Sequence, residues 1–285
     1  MSVRKADFAG SWYPASSERC QKEIERYGEK TLEISATPSK AVGGIVPHAG
    51  WTYSGEIAFN VLRSLAKWSS PQTVVIFGMH LGPTSDHVIM VEGEWETPLG
   101  NIEIDEALAS ELVKSFVFIK ETPFVHGADN TIELQLPFIR YLFPKSRILP
   151  VGVASREEAL EIGSAVADLV IKKGVEALVI GSTDLTHYGT NYGFTPQGIG
   201  DQAVQWVKES NDKRMTDLMI QMEAPRMLEE ARASQNACCV GAAAAAVAAV
   251  RGLGGRDGEL LAYRTSYDIE PHTSFVGYAG VVYYR

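Results

Sequence analysis

The 285-residue sequence has few cysteines and no long apolar run. Its three cysteines, Cys20, Cys238 and Cys239, are too few for a disulfide framework, and the adjacent pair would form a disulfide only with strain. No apolar run reaches the roughly 18 residues that a membrane span needs, and the N-terminal MSVRKADF lacks the apolar segment of a signal peptide. We therefore expect a cytoplasmic protein.

Familiar binding and catalytic signatures are missing as well. The sequence contains no G-x-x-x-x-G-K-[ST] phosphate loop, no G-x-S-x-G nucleophile motif and no C-x-x-C. The glycines at 252–255 end a helical pattern rather than open one, which argues against a dinucleotide fingerprint. The net charge of −9 argues against a general surface for nucleic acid or for an anionic membrane.

What the chain does contain is an alternation of buried-type strands and amphipathic helices. This pattern predicts an α/β fold with helices on both faces of a central, mostly parallel sheet, in α/β/α layers. Without a repeat or a linker, one domain over residues 1–285 is the best interpretation. The predicted strands are 41–46, 73–79, 87–92, 95–104, 148–153, 177–180, 260–266 and 274–284. The predicted helices are 18–32, 56–67, 105–115, 131–143, 156–173, two within 199–221, 226–233 and a small-residue helix at 239–250 that we expect to be buried.

Ionisable side chains follow three of these strands. His48 comes after the first core strand, His80 after the second, and Asp184 with His187 after the strand at 177–180. Open α/β sheets bind ligands at the carboxyl ends of their strands, so we expect these side chains to converge. Cys238 precedes the small-residue helix, whose N-terminus would favour the thiolate, the metal-binding form. His48, His80 and Cys238 are therefore candidate metal ligands.

Each candidate has a plainer structural explanation. A single histidine is more often a hydrogen-bonded structural residue, and a cysteine beside alanines is usually core filler. Composition alone does not separate Cys238 from Cys239. Asp184 either orients the His187 imidazole for acid–base catalysis or faces one ligand together with it. In the structural alternative, Asp184 caps a helix and the His187 ring packs.

Further candidates would line a pocket. Trp12, Tyr13 and Tyr53 either wall a pocket or are ordinary core aromatics. Glu133, at the start of a predicted helix, is either a capping residue or a pocket residue. We predict surface or structural roles for the remaining histidines, which are His87, His126 and His272.

Eight stretches, in this order, make the chain resemble the Memo family, which is related to the class III extradiol dioxygenases. They are AGSWYPAS at 9–16, PHAGWTYSG at 47–55, VVIFGMHLG at 74–82, ETPLGNIEID at 96–105, TIELQLPF at 131–138, GSTDLTHYG at 181–189, ACCVGA at 237–242 and SFVGYAGVVY at 274–283. The resemblance implies a class III extradiol dioxygenase-like fold. It also implies metal ligands at His48, His80 and Cys238, with Asp184 and His187 nearby.

The chain departs from the family pattern at two places. Cys238-Cys239 stands where the family usually has Cys-Gly, so Cys238 aligns with the ligand and Cys239 takes the glycine position. A Glu-His-Ser segment common in the family reads Asp129-Asn130-Thr131 here, which removes a histidine from the pocket.

The resemblance leaves three functional hypotheses. The first is redox chemistry on a small molecule with one metal ion, iron or copper favoured over zinc. Ring cleavage is doubtful because a thiolate replaces the carboxylate that extradiol enzymes use. The second is a zinc-type hydrolase. The third is a non-catalytic module for a peptide or protein ligand. The family also implies AMMECR-type and radical SAM partner proteins, and the oligomeric state stays open.

Overall fold

The computed structural model describes residues 2–36 and 38–285, and within them strands and helices alternate along the chain. The strands are β1 Val3–Arg4, β2 Ala41–Val46, β3 Thr73–Gly78, β4 His87–Met90, β5 Glu94–Trp95, β6 Ile102–Glu103, β7 Phe118–Glu121, β8 Arg147–Gly152, β9 Ala177–Ser182, β10 His187–Tyr188, β11 Asp257–Thr265 and β12 Phe275–Tyr284. The α-helices are α1 Ser17–Glu29, α2 Trp51–Ala66, α3 Glu106–Leu112, α4 Asn130–Glu133, α5 Leu136–Leu142, α6 Glu158–Lys173, α7 Asp201–Trp206, α8 Asp212–Ile220, α9 Ala224–Ser234 and α10 Val240–Gly252.

The main sheet is mixed, with a parallel centre. Its order is β10-β12-β2-β9-β3-β8-β4-β7, and β11 pairs with β12 beside β10. Strands β2, β9, β3 and β8 run parallel, whereas β12 and β4 pair with them in the antiparallel sense. Strands β1, β5 and β6 form a separate small sheet. The carboxyl ends of β2, β9 and β3 therefore lie side by side.

The parallel strands are buried on both faces, which explains their unbroken apolar sequences. Val75 and Phe77 of β3 belong to one core cluster, and the alternate residues Val74 and Ile76 belong to another. Helices α1, α2, α4 and α5 cover the second cluster, and α3, α6, α8, α9 and α10 cover the first. The predicted single α/β domain with three layers is thus the fold observed.

Helix α10 confirms the expectation that the small-residue segment is buried. Nearly all its side chains are inaccessible, and it packs on α6 and on the central strands. Small residues allow this close approach: a Cβ at Gly163 of α6 would lie 2.2 Å from the carbonyl oxygen of Ala245. The described helices include none with the length and apolar character of a membrane span.

Several predicted boundaries are wrong. Helix α2 begins at Trp51, not near residue 56, because Gly55 makes room for the Tyr27 ring rather than forming a turn. The predicted helix at 131–143 is two helices, with Pro137 in the first turn of the second. The predicted strand at 95–104 is two strands of two residues, and β1, β7 and β10 were not predicted.

Candidate metal centre

Four potential metal ligands meet at the carboxyl edge of the sheet. The ligand atoms of His48, His80, Cys238 and Cys239 all lie within 4.8 Å of one another. The two Nε2 atoms are 3.2 Å apart, and the Cys238 sulfur is 3.3 Å from Nε2 of His48. The two sulfurs are 3.8 Å apart. The structure therefore brings together the three predicted ligands and adds Cys239, which the sequence did not distinguish.

The topology of the sheet explains why these side chains converge. His48 follows β2 and His80 follows β3, and these strands flank β9. The cysteines precede α10, which packs over the same strands. Strand β3 ends at Gly78, one residue before the predicted end at residue 79, because Met79 has a φ of 70°. This left-handed backbone, rare for a bulky residue, turns the chain between the end of β3 and His80.

His48 is fixed by its neighbours on β9 and α4. Its Nδ1 lies 3.0 Å from the hydroxyl of Ser182, which donates to the carbonyl of Thr131 at 2.7 Å. Because that hydroxyl gives its own proton to Thr131, it accepts the Nδ1 proton of His48. When the ring is neutral, as in a metal-bound histidine, this arrangement leaves the lone pair on Nε2, where the other ligands converge.

Replacing Ser182 with alanine is expected to weaken metal affinity about 10–100-fold. The substitution would leave the buried Nδ1–H of His48 without its acceptor and loosen the ring. Competition between the protein and a chromogenic chelator for Zn²⁺ measures the change. Ser146→Ala is the matched control, since this buried serine donates to Pro71 near the opposite ends of the strands. Equal affinities for the two variants would contradict the role given to Ser182.

The pKa values of Cys238 and His48 are shifted in opposite directions. Burial lowers the pKa of His48, but the negative charges of Asp184 and Cys238 outweigh it and raise the pKa to about 9. Burial raises the pKa of Cys238, yet its hydrogen bond with Cys239 and the nearby histidines hold that pKa well below the usual value. Burial and the neighbouring Cys238 raise the pKa of Cys239. Cys238 is thus the thiolate of the pair.

Asp184 and His187 line the same cavity, as in the second of the two predicted arrangements. The Asp184 carboxylate accepts the backbone N–H of His48 at 2.7 Å, so its hydrogen bond fixes the first ligand segment and not the His187 ring. Burial lowers the pKa of His187, whereas Cys238 and Asp184 raise it, and the net shift is upward. Its Nε2 is buried and has no hydrogen-bond partner among the described residues.

A cavity lined by the two histidines of the cluster has a volume of about 670 Å³. Asp184 and His187 line it too, as do the predicted aromatic candidates Trp12 and Tyr53. Additional lining residues include Tyr192, Tyr278, Glu270 and His272. The volume falls within the 300–1,000 Å³ range of small-molecule sites.

Two predicted pocket residues lie elsewhere. Glu133 is fully buried and accepts the backbone N–H groups of Asp7 and Phe8, together with the hydroxyl of Tyr13 at 3.0 Å. Tyr13 and Glu133 are not among the residues that line the cavity. Their contacts instead anchor the N-terminal segment that carries Trp12 to the cavity wall.

Sequence reasoning missed several residues that the structure places at the site. Ser182 lies on the inner strand β9. In the sequence it resembles one more small residue of an apolar run. The Tyr192 ring packs against the His187 ring at a tilt of 54°, with ring centroids 4.9 Å apart. His272 was expected at the surface and is exposed, yet it lines the cavity. The other two behave as expected: His87 is buried beside Glu158, and His126 lies near Asp7.

The donor set suits a metal ion. A thiolate is the form in which cysteine binds metals, and two imidazole nitrogens complete a set used for zinc, copper and iron. The hydrogen bond to Nδ1 of His48 orients the first ring as metal-bound histidines require.

Fold and site together define an α/β protein with a histidine–cysteine cluster at the carboxyl edge of a parallel sheet. A family model described as Memo-like protein matches residues 4–282. The chain therefore belongs to the Memo-like protein family, and the resemblance seen in the sequence is confirmed.

Relatives of the chain match along almost its whole length. A MEMO1 family protein of Methanopyrus kandleri is 34% identical, with 99% of both chains covered. A MEMO1 family protein of Pyrococcus abyssi is 33% identical over 99% of this chain and 100% of its own. The crystal structure of an uncharacterized protein from Escherichia coli K12 is similar at a TM-score of 0.53 and 10% identity, covering 85% of this chain and 99% of that one. This last likeness supports the fold alone.

Proposed function

We propose that the chain is a metal-dependent enzyme that performs a redox step on a small molecule. The observation that supports this most strongly is the convergence of His48, His80 and Cys238, whose ligand atoms lie within 4.8 Å of one another beside a cavity lined by both histidines. Open positions on a metal ion held there would face a molecule in that cavity.

His48, His80 and Cys238 would hold one metal ion. Bound there, iron or copper would supply electron transfer and polarise a substrate oxygen, nitrogen or sulfur. The ring-cleaving chemistry of extradiol dioxygenases is not part of the proposal, since a thiolate stands where those enzymes use a carboxylate.

The remaining residues of the site have separate tasks. His187, which lines the cavity, would accept or donate a proton. Asp184 would hold the backbone of His48 in place through its 2.7 Å hydrogen bond. Trp12 and Tyr53 would pack on the apolar part of the substrate and exclude water. The 670 Å³ volume limits that substrate to a small molecule or a short peptide end.

A zinc-type hydrolase is the second candidate, because two imidazoles and one thiolate with an open fourth position for water also form a catalytic zinc site. In that case His187 would act on a water molecule rather than on a redox substrate. The cytoplasmic location and the AMMECR-type and radical SAM partners stay predictions from the sequence.

Elemental analysis of anaerobically purified protein tests the proposal. We expect about one iron or copper per chain, lost in His48→Ala and in Cys238→Ser because each removes a ligand. His272→Ala is the control: it removes another histidine of the same cavity but none of the cluster, so the metal should be retained. Zinc in this pattern would favour the hydrolase. An absence of metal from the folded wild type, even after incubation with Fe²⁺, Cu⁺ or Zn²⁺, would refute the metal centre.

A further inference from the structure

Cys239 occupies the helix start beside the three assigned ligands, and its sulfur points into their cluster. The residue is 1% exposed, and its backbone N–H donates to the hydroxyl of Thr183 at 3.1 Å. The hydrogen bond of its sulfur among the described residues is to Cys238. A cysteine that merely filled the core would not need its sulfur within 4.8 Å of two imidazole nitrogens and a thiolate.

Three of the six separations between the four donors match the edges of a tetrahedron around one ion, and the other three are at most 4.8 Å. With metal–nitrogen bonds of about 2.0–2.1 Å and metal–sulfur bonds of about 2.3 Å, tetrahedral edges are roughly 3.3 Å for two nitrogens, 3.6 Å for nitrogen and sulfur, and 3.8 Å for two sulfurs. The corresponding separations here are 3.2 Å for His48 and His80, 3.3 Å for His48 and Cys238, and 3.8 Å for Cys238 and Cys239.

The two sulfurs are held differently. Cys238 Sγ accepts the backbone N–H of Asp184 at 3.3 Å and lies 3.8 Å from the hydroxyl of Thr183. Among the described residues, the hydrogen-bond partner of Cys239 Sγ is its neighbour Cys238. Donors from the segment that follows β9 therefore fix Cys238, whereas no comparable donor in the described part of the chain fixes the second sulfur.

We propose that Cys239 is a fourth, exchangeable ligand, so that without substrate this chain holds its metal in a closed site of two imidazoles and two thiolates. This inference rests on the proposed metal centre and deepens it. Binding would displace the thiol proton of Cys239 to solvent, since cysteine binds metals as the thiolate. Four protein ligands leave no open position, so a substrate would gain access by replacing the less firmly held sulfur.

Cobalt(II) provides the test, because each cobalt–thiolate bond adds ligand-to-metal charge-transfer absorption in the near ultraviolet. We expect Cys239→Ala to bind one Co²⁺ with about half the charge-transfer absorbance of the wild type. Cys20→Ala, which removes a buried cysteine of α1 outside the cluster, should leave the spectrum unchanged. Equal absorbance per bound Co²⁺ in wild type and Cys239→Ala would overturn the assignment of Cys239 while leaving a three-ligand centre intact.

A second measurement does not depend on the variant folding. X-ray absorption of the zinc-loaded wild type should count two sulfur neighbours at about 2.3 Å. One sulfur neighbour would also overturn the proposal. Failure of the wild type to bind Co²⁺ or Zn²⁺, or binding that survives His48→Ala unchanged, would instead refute the metal centre itself, so the two failures are distinguishable.

Discussion

Replacing Arg4 with methionine is expected to lower the free energy of unfolding by about 3–5 kcal/mol. The Arg4 side chain is completely buried, donates to Glu121 at 2.7 Å and to the carbonyl of Gly127 at 2.6 Å, and lies 3.6 Å over the Trp95 ring. Methionine would fill much of the volume but leave the buried Glu121 carboxylate without its cation. An uncompensated buried charge accounts for the size of the effect.

Urea unfolding measures this effect as a shift in the midpoint at constant slope. Lys5→Met is the control, since the neighbouring residue forms an exposed ion pair with Glu96, and such pairs contribute about 0–1 kcal/mol. The double variant Arg4→Met/Glu121→Gln should recover a large part of the loss, because glutamine is neutral and can still accept from Gly127. An Arg4→Met protein within 1 kcal/mol of the wild type would contradict the prediction.

Arg4 also shows why the sequence predicted the centre of the fold better than its edges. The parallel strands are predicted well because both of their faces are buried, so unbroken apolar runs identify them. Strand β1, by contrast, has two residues and owes its position to Arg4, whose partners are more than 100 positions away in the sequence. No local sequence pattern indicates such a long-range contact. Strand β7, which carries Glu121, was not predicted for the same reason.

The residues of the site likewise differ in how well the sequence predicted them. His48 and His80 were predictable because the strand-end rule depends only on chain order and burial. The position of the Cys239 sulfur beside these ligands was not predictable, because the side chains of adjacent residues usually point in different directions. Here Cys239 has φ −125° and ψ 51°, a non-helical conformation at the start of α10 that leaves both sulfurs in one cluster. Residue types alone do not predict the backbone angles at the start of a helix.

Asp212 is a buried carboxylate placed behind the His187 segment. It follows a π-helical turn, Val207–Asn211, that joins α7 to α8. Its Oδ1 accepts the backbone N–H of Thr186 at 3.0 Å and also the Thr186 hydroxyl, and its Oδ2 accepts from Tyr263 at 2.8 Å. Burial raises the pKa of Asp212 to about 6, against the lowering effect of these donors and of His187.

The raised pKa makes Asp212 a source of pH-dependent stability. Between pH 4 and 6 the unfolded chain has released the proton that the folded protein retains, so this residue's contribution to stability falls as pH rises. We expect Asp212→Asn, which resembles the protonated acid in shape, to gain about 2–3 kcal/mol relative to the wild type between pH 4 and 7. Urea unfolding at constant ionic strength across this range measures the difference, and parallel curves would contradict it.

Tyr263→Phe provides a second check. Removing the donor to Oδ2 should raise the pKa of Asp212 further, so that the free energy of unfolding keeps falling to a higher pH than in the wild type. Asp212 also accepts the backbone N–H and the hydroxyl of Thr186, so it holds the residue that precedes His187.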